Sequence, residues 1–514
     1  MDVAARFASA GRALYLVGGA VRDAFSDRSP STRELDLATD APPFETRALL
    51  EGMASALWRQ GEPFGTIGAE VGGVRMEVTT FRTERYAPDS RHPEVAFGTD
   101  VTTDLSRRDF TINAVAIKLP ERKLIDPFGG LADLRNRLIK TPGDPRSSLL
   151  DDPLRILRAF RFISQLASRT NGKVVHFEID EGLLEAAAGL RDRLLTVSSE
   201  RVRDELAKLL VGGAPAQALG LADRAGVVEL ILPEVANLKL EQDPVHRHKD
   251  VWLHTLAVVE QTEPDEVLRL AALLHDIGKP QTRRIGPEGV TFHFHEVVGA
   301  EAAARRLRAL RWPNRIVEEV RALIRLHHRF HTYRLGWSDA AVRRYARDAG
   351  PLLRKLNALV RADCTTRNRE KALRLQARMD ELEARIERLA QQEELERIRP
   401  ELDGHAVMSH LGVPPGPIVG EALDYLLEIR LEEGLVGRAE ALKRLEEWAR
   451  DRLGDRANKS GDRLGDRANK SGDRLGDRAN KSGDRLGDRA NKSGDRLGDR
   501  AGSGQAGDVD ASHE

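Results

Sequence analysis

The sequence predicts an α+β protein: an N-terminal segment built on a small mixed β-sheet with flanking helices, followed by all-α regions. Three observations predict it. Over residues 1–140, short β-rich runs alternate with helical patterns, as a sheet flanked by helices requires. From Asp151 onward, apolar residues recur at helical spacing in Glu181 to Leu195, Ser198 to Val211, Ala214 to Ala225, Asp265 to Leu274 and Ala300 to Leu310. At 514 residues the chain also exceeds the size at which single hydrophobic cores stop growing, so several domains are expected.

The first element is the apolar run Leu14-Tyr15-Leu16-Val17, which breaks at Gly18-Gly19 and continues as a short helix carrying Arg22. A second apolar run follows, with Glu34 and Asp36 at i, i+2. Glycines after a strand let backbone N–H groups approach phosphate, and i, i+2 residues of a strand share one face. Two neighbouring carboxylates suit Mg²⁺ held against a triphosphate. Each half alone is an ordinary turn or a solvated strand face; the combination points to phosphoryl or nucleotidyl transfer.

Further segments follow in order: Phe64-Gly65-Thr66, Glu77-Val78-Thr79-Thr80-Phe81-Arg82, Asp104 to Ala114 with Arg107-Arg108-Asp109, and Ile125-Asp126-Pro127-Phe128-Gly129-Gly130. Together with the two runs before them, they resemble the motifs of the nucleotidyltransferase family that contains the tRNA CCA-adding enzymes and bacterial poly(A) polymerases. Glu34 stands where that family more often has Asp, and its longer side chain still reaches a metal. The resemblance implies that Glu34 and Asp36 hold Mg²⁺ and that Gly18, Gly19, Arg22 and Arg108 contact the triphosphate of CTP or ATP. The 3′-hydroxyl of a tRNA 3′ end would then attack the α-phosphate and release pyrophosphate. Glu77, in an adjacent apolar strand, is either a third carboxylate of this site or one side of a structural salt bridge. Residues 82–98, with Tyr86, Asp89 and Arg91, resemble the loop that switches such enzymes from C to A, which favours complete CCA synthesis over CC-only addition.

Asp151-Asp152-Pro153 and the arginines after them open the helical part. Acids beside a proline in a first helical turn are ordinary helix-start chemistry. At about 100° per residue, Arg155, Arg158 and Arg161 share one face while Ile156, Leu157, Phe160 and Ile163 share the opposite one. The segment resembles the family's acidic-Asp-x-x-Arg template for the incoming base. A carboxylate accepting from an amino group beside a guanidinium donating to a ring nitrogen admits C and A and rejects U and G. Asp152 and Arg155 have the chemistry for that pair, and by the resemblance Arg158 and Arg161 help hold the nucleotide.

A second candidate site lies in the helical region. His254, His275-Asp276 in a Leu-Leu-His-Asp-Ile-Gly-Lys context, and Asp363 resemble the ligand series of the HD phosphohydrolase superfamily, with His295 and His327-His328 nearby in sequence. Imidazoles with carboxylates suit a divalent transition metal. Phosphatase or phosphodiesterase activity on 2′,3′-cyclic or 2′-phosphate ends is one expectation, and a helical scaffold without activity is the other.

Composition bounds the partners. The 81 basic and 81 acidic residues cancel, so RNA should meet a local patch rather than a generally basic surface. Cys364 is the only cysteine, which excludes an internal disulfide and fits a reducing, cytoplasmic setting. No apolar run approaches 20 residues, so no membrane partner is expected. The dense charges of Tyr345 to Glu396 read as the solvated face of a long helical region. From Asp451 the unit Asp-Arg-Leu-Gly-Asp-Arg-Ala-Asn-Lys-Ser-Gly occurs four times and a fifth copy breaks off at Ala501. With one large apolar residue per unit it cannot build a core, so disorder is expected.

The organisation expected is a nucleotidyltransferase head over 1–140, a helical neck with the base template and RNA-binding surface over 141–240, and an HD domain over 241–370. A helical RNA-contacting region over 371–450 and the repeat tail over 451–514 complete it. Poly(A) polymerase and a stand-alone HD phosphohydrolase with an RNA-recruiting head are the rival readings. Oligomeric state is not legible in the sequence.

Overall fold

The computed structural model describes residues 2–26, 34–59, 61–85, 94–170, 173–240, 250–287, 289–364, 369–393 and 399–452. The tip of the expected switching loop, with Tyr86, Asp89 and Arg91, and the repeats beyond residue 452 lie outside the described residues. The chain divides into two units, Met1–Arg397 and Ile398–Glu514.

The first unit begins with nine strands: β1 (Leu14–Val17), β2 (Glu34–Thr39), β3 (Ala56–Trp58), β4 (Thr66–Val71), β5 (Val74–Thr80), β6 (Arg82–Arg85), β7 (Glu94–Phe97), β8 (Ala116–Leu119) and β9 (Lys123–Ile125). Seven of them form one sheet in the order β3-β4-β5-β2-β1-β8-β9, and β6 pairs with β7 as a separate hairpin. The sheet is mixed because β2 and β5 run parallel while the other neighbours are antiparallel.

Alternation along the strands decides what each face carries. Leu14, Leu37, Ile67, Ala69 and Val78 point to one face and pack with Phe7 and Leu50 of the flanking helices. On the other face Val17, Ala38 and Ala116 pack with Phe81, Leu105 and Ala114. This second layer covers only part of the sheet, and Glu34, Asp36 and Glu77 remain exposed beside it.

The neck helix Arg155–Leu166 buries Ile156, Leu157, Phe160 and Ile163 as its periodicity predicts. Its arginine face is packed rather than solvated. Arg158 donates through Nε and Nη2 to Asp109 Oδ2 at 2.9 and 2.5 Å, and Arg155 Nη2 donates to the Arg107 carbonyl at 2.5 Å. Arg161 pairs with Glu205 of the helix Ser199–Leu210 at 3.2 Å. Phe162 meets Phe110 of the head edge-on at 5.6 Å. The head and the neck are therefore joined by buried charge as well as by apolar area.

Two details differ from the sequence expectation, and a third refines it. Asp151 ends the helix Pro145–Asp151, and Asp152 is its C-cap rather than part of a first turn; its Oδ1 accepts from Leu154 N at 3.1 Å across the joint to the next helix. The region after Asp151 is not wholly helical, because Ser168–Thr170 pairs with Lys173–Val175 and Arg284–Gly286 pairs with Gly289–Thr291. The helical region expected from Tyr345 is made of successive helices: Asp339–Ala349 stops at Gly350-Pro351, where φ of Gly350 is +49°, before Leu353–Asp363 and Arg369–Glu393.

The second unit is a small helical cluster. Gly404–Leu411, Pro417–Glu433 and a helix over residues 438–452 bury Val407, Ala422, Leu426 and Leu445. The Gly and Pro residues between 412 and 417 mark the turn between two helices, with Gly412 left-handed at φ +66°.

Asp109 tests the joint. It is buried, and Arg158 together with hydrogen bonds from Asn113 Nδ2 and Phe110 N outweighs its desolvation and holds its pKa below the ordinary carboxylate range. A depressed carboxylate stabilises above its unfolded pKa of about 3.9 and loses that contribution as pH falls below it. Asp109→Ala should cost about 3–5 kcal/mol because it leaves Arg158 uncompensated. In urea unfolding at a series of pH values, the acid-side loss of stability should be shallower in Asp109→Asn than in the natural chain.

Candidate active site

The parallel pairing of β2 and β5 sets Asp36 opposite Glu77, and Glu34 lies two residues before Asp36 on the same face. Three carboxylates thus share one exposed patch. Desolvation in the cleft, tempered by Arg108 and reinforced by Glu34, raises the pKa of Asp36; desolvation, then Asp36 and Glu34, raises that of Glu77. Among the described residues Glu77 forms no salt bridge. Glu77 faces Asp36 across the β2–β5 pair. Like charges held this close by β-pairing favour a bound divalent cation.

Gly18 closes the patch on the β1 side. Its φ of +71° lies in the left-handed region, and a Cβ there would stand 3.2 Å from Asp36 Oδ2 and 3.3 Å from Arg108 Nη1. Both the backbone conformation and the space therefore call for glycine. Gly19 begins the helix Gly19–Ala24. Arg108 stays within reach of Asp36 while its Nη2 lies 3.4 Å from Asp104. Arg22 is more committed: it is buried, donates to Asn113 Oδ1 and Asp23 Oδ1 at 2.8 Å each, and lies over Phe162.

The four neck residues are brought to one region but not into one pair. Asp152 Oδ2 lies 3.3 Å from Arg201, whereas Arg155 donates to Ser148 Oγ at 2.8 Å and to the Arg107 carbonyl. The side chains of Asp152 and Arg155 are not bonded to each other. Arg158 and Arg161 are spent on Asp109 and Glu205, and with Arg22 their guanidiniums surround Phe162 at 4.2 to 5.9 Å. Asp109, Glu205 and Arg201 escaped the sequence reading because their partners lie more than forty residues away in sequence with no shared period. The three arginines on one face of the helix, with no acid among them, were the one available signal.

The second site is assembled from five helices: Val251–Gln261, Glu266–Leu274, His295–Ala309, Asn314–His327 and Leu353–Asp363. His254, His275 and Asp276 form one group with convergent ligand atoms, and Asp276, His295 and His327 form a second. Asp276 belongs to both. Asp363 accepts from or pairs with His254 Nε2 at 2.8 Å and lies 3.6 Å from His275 Nε2. The expected set His254, His275, Asp276 and Asp363 is thus brought together, and His295 and His327 join it.

The imidazoles are oriented by the backbone. Nδ1 of His275, His295 and His327 each bonds a carbonyl three residues earlier, Ala272, Phe292 and Ile324, at 2.8, 2.8 and 2.6 Å. That fixes the tautomer with Nε2 turned to the centre. His275 Nε2 is buried between two carboxylates, 3.2 Å from Asp276 Oδ2 and 3.6 Å from Asp363 Oδ1. Burial holds His254, His295 and His327 neutral, His327 down to about 3, while burial of His275 is outweighed by Asp276 and Asp363, which push it up to about 10. Imidazoles converging with the carboxylates Asp276 and Asp363 make a donor set that fits a divalent transition metal.

Three family models match in chain order: "Poly A polymerase head domain" over residues 14–140, "Probable RNA and SrmB- binding site of polymerase A" over 176–239, and "HD domain" over 249–390. An A-adding tRNA nucleotidyltransferase of Deinococcus radiodurans is 32% identical over 449 residues, covering 85% of this chain and 96% of that protein. A CC-adding tRNA nucleotidyltransferase of Thermus thermophilus is 35% identical over 466 residues, covering 87% and 95%. The crystal structure of the Bacillus stearothermophilus CCA-adding enzyme in complex with CTP superposes with a TM-score of 0.61 at 25% identity, covering 88% of this chain and 97% of that one. No helix among the described residues is long and apolar enough to cross a membrane.

The raised pKa values of Asp36 and Glu77 carry a measurable cost. Both acids bind protons more tightly folded than unfolded, so ionising them costs stability as pH rises through their raised range. Asp36→Asn should therefore unfold at a higher temperature than the natural chain at neutral pH in chelator, and should lose that advantage in excess Mg²⁺. Scanning calorimetry in the two buffers measures both arms; an unchanged difference between buffers would remove Asp36 from a metal site.

Proposed function

The chain belongs to the tRNA nucleotidyltransferase family, and we propose that it builds or repairs the 3′-terminal CCA of tRNA from CTP and ATP, releasing pyrophosphate. The observation that carries this reading is the row of Glu34, Asp36 and Glu77 set beside Gly18 and Arg108 on the exposed sheet face. These three acids would hold Mg²⁺, which would supply charge neutralisation at the triphosphate and a lowered pKa for the attacking 3′-hydroxyl. Gly18 leaves room for the phosphates against the backbone, and Arg108 adds positive charge on that flank. A tRNA nucleotidyltransferase reading is preferred to poly(A) polymerase because the relatives covering nearly the whole chain act at tRNA ends by name.

We assign nucleotide choice to the neck. Asp152 accepts and Arg155 donates, so the pair complements the amino and ring-nitrogen edge that C and A share. For that, Arg155 exchanges its bonds to Ser148 and the Arg107 carbonyl for the base. The relatives include A-adding and CC-adding proteins, so the extent of addition is the property to measure. Acceptors ending at the unpaired base before CCA, at C and at CC, each offered the four nucleotides singly, should gain CMP, CMP and AMP respectively. Arg155→Ala should lose discrimination against UTP and GTP, because a mispaired buried donor no longer penalises them. Addition of A alone, or of CC alone, would revise the reading, and unchanged discrimination would remove Arg155 from it.

The convergence of imidazoles on Asp276 favours a second activity in the same chain. Residues His254, His275, Asp276, His295, His327 and Asp363 would hold a divalent transition metal, whose chemistry would be to activate water for hydrolysis of phosphate esters. The substrates proposed are 2′,3′-cyclic or 2′-phosphate RNA ends. Elemental analysis should find metal in the natural chain and its loss in His275→Ala and Asp276→Ala. A natural chain without bound metal would leave these histidines as packing residues.

A further inference from the structure

Nucleotidyl transfer brings two nucleotides to the carboxylates at once, and Gly18, Arg108 and the neck account for one of them. On the other side of Asp36 the exposed face continues in register. Asp36 pairs with Glu77, Glu77 with Gly68, and Gly68 with Trp58. Directly opposed residues on neighbouring strands share a face, so one row runs from the metal-binding acids to an indole at the edge of the sheet. Gly68 leaves the middle of the row bare: a Cβ there would stand 3.3 Å from Trp58 Cε3, so the indole leans across β4. A cavity of about 330 Å³ opens over this row, lined among others by Glu34, Glu77, Trp58, Phe64, Arg75 and Arg82. Phe64 is a large apolar residue, yet it is 56% exposed on the turn Glu62–Phe64, where it lines the cavity with Glu34 and Glu77.

We propose that this shelf binds the base of the 3′-terminal nucleotide of the RNA acceptor, stacked against Trp58 and Phe64, while its ribose 3′-hydroxyl lies at Glu34, Asp36 and Glu77. The proposal rests on the nucleotidyl-transfer reading given above. Size fits: Trp58 is two strands from Glu77, about 10 Å at the usual strand spacing, and the cavity is at the small end for ligand sites, as one nucleoside requires. Chemistry fits as well. The acceptor ends first in the unpaired base before CCA and then in C, so its site must accept more than one base, and aromatic stacking reads the face that all bases share. The incoming nucleotide, which must be chosen, is met instead by hydrogen-bonding groups on the neck. Arg75, which lies 5.8 Å from the Trp58 ring, and Arg82 place positive charge in the same cavity for the phosphates of the arriving strand.

The test uses the full chain and tRNA ending in CC, with the last nucleotide either intact or abasic, and ATP as the second substrate. In the natural chain, loss of the terminal base should raise KM for the acceptor about tenfold and leave KM for ATP unchanged. Trp58→Ala should raise acceptor KM by a similar factor on the intact end and make little difference on the abasic one, and Trp58→Phe should restore most of the affinity. Phe64→Ala, on an exposed turn outside the cores, should repeat the effect in part without loss of folding. The shelf is overturned if the natural chain extends both ends equally well, or if Trp58→Ala raises KM for ATP instead. A natural chain that extends no acceptor at all would defeat the transfer reading itself, whereas extension indifferent to the terminal base defeats the shelf alone.

Discussion

The constraint on which the head depends is the parallel pairing of β2 with β5, which sets Asp36 against Glu77 with Glu34 beside them. β-pairing fixes side chains to a face and a register, so the acids cannot relax away from one another as surface carboxylates do. Burial in the cleft, reinforced by the neighbouring carboxylates, raises the proton affinity of Asp36 and Glu77. That unfavourable charge is useful only when a cation is bound, which is the pattern expected where a functional site departs from optimal stability.

The other parts serve this patch. The strand-breaking Gly18 brings backbone close to Asp36, the partial covering layer of Phe81 and Leu105 leaves the acids open, and the neck helix is anchored to the head through Asp109. Arginine does two jobs in the neck. Arg158 and Arg161 pair with buried acids and lie over Phe162, while Arg155 bonds Ser148 at the N-terminal end of the helix. The helical region beyond is organised around a different centre. There, backbone carbonyls set the histidine tautomers and Asp276 is common to both groups of ligands.

Much of this was legible in the sequence where the signal is local. Alternation and the i, i+2 spacing placed Glu34 and Asp36 on one strand face, and helical periodicity gave the buried side of Arg155–Leu166. Signals fail where long-range pairing decides. Nothing near Asp109 announces Arg158, and nothing near Trp58 announces that β4 and β5 will carry it into line with Asp36. The joint at Asp151-Asp152 was misread as a helix start because acids and proline also suit a helix end followed by a turn. The break at Gly350-Pro351 was passed over because the charge density on both sides continues the helical pattern.

The central claim is that three acids brought into register by β2 and β5 form the metal site of the transferase. Anomalous diffraction from crystals grown with Mn²⁺ and a non-hydrolysable ATP analogue tests it directly. A manganese peak should stand about 2.1 Å from carboxylate oxygens of Asp36 and at least one of Glu34 and Glu77, and should vanish in Asp36→Asn. Manganese confined to the histidine centre, with nucleotide bound and no peak at the head acids, would contradict the account.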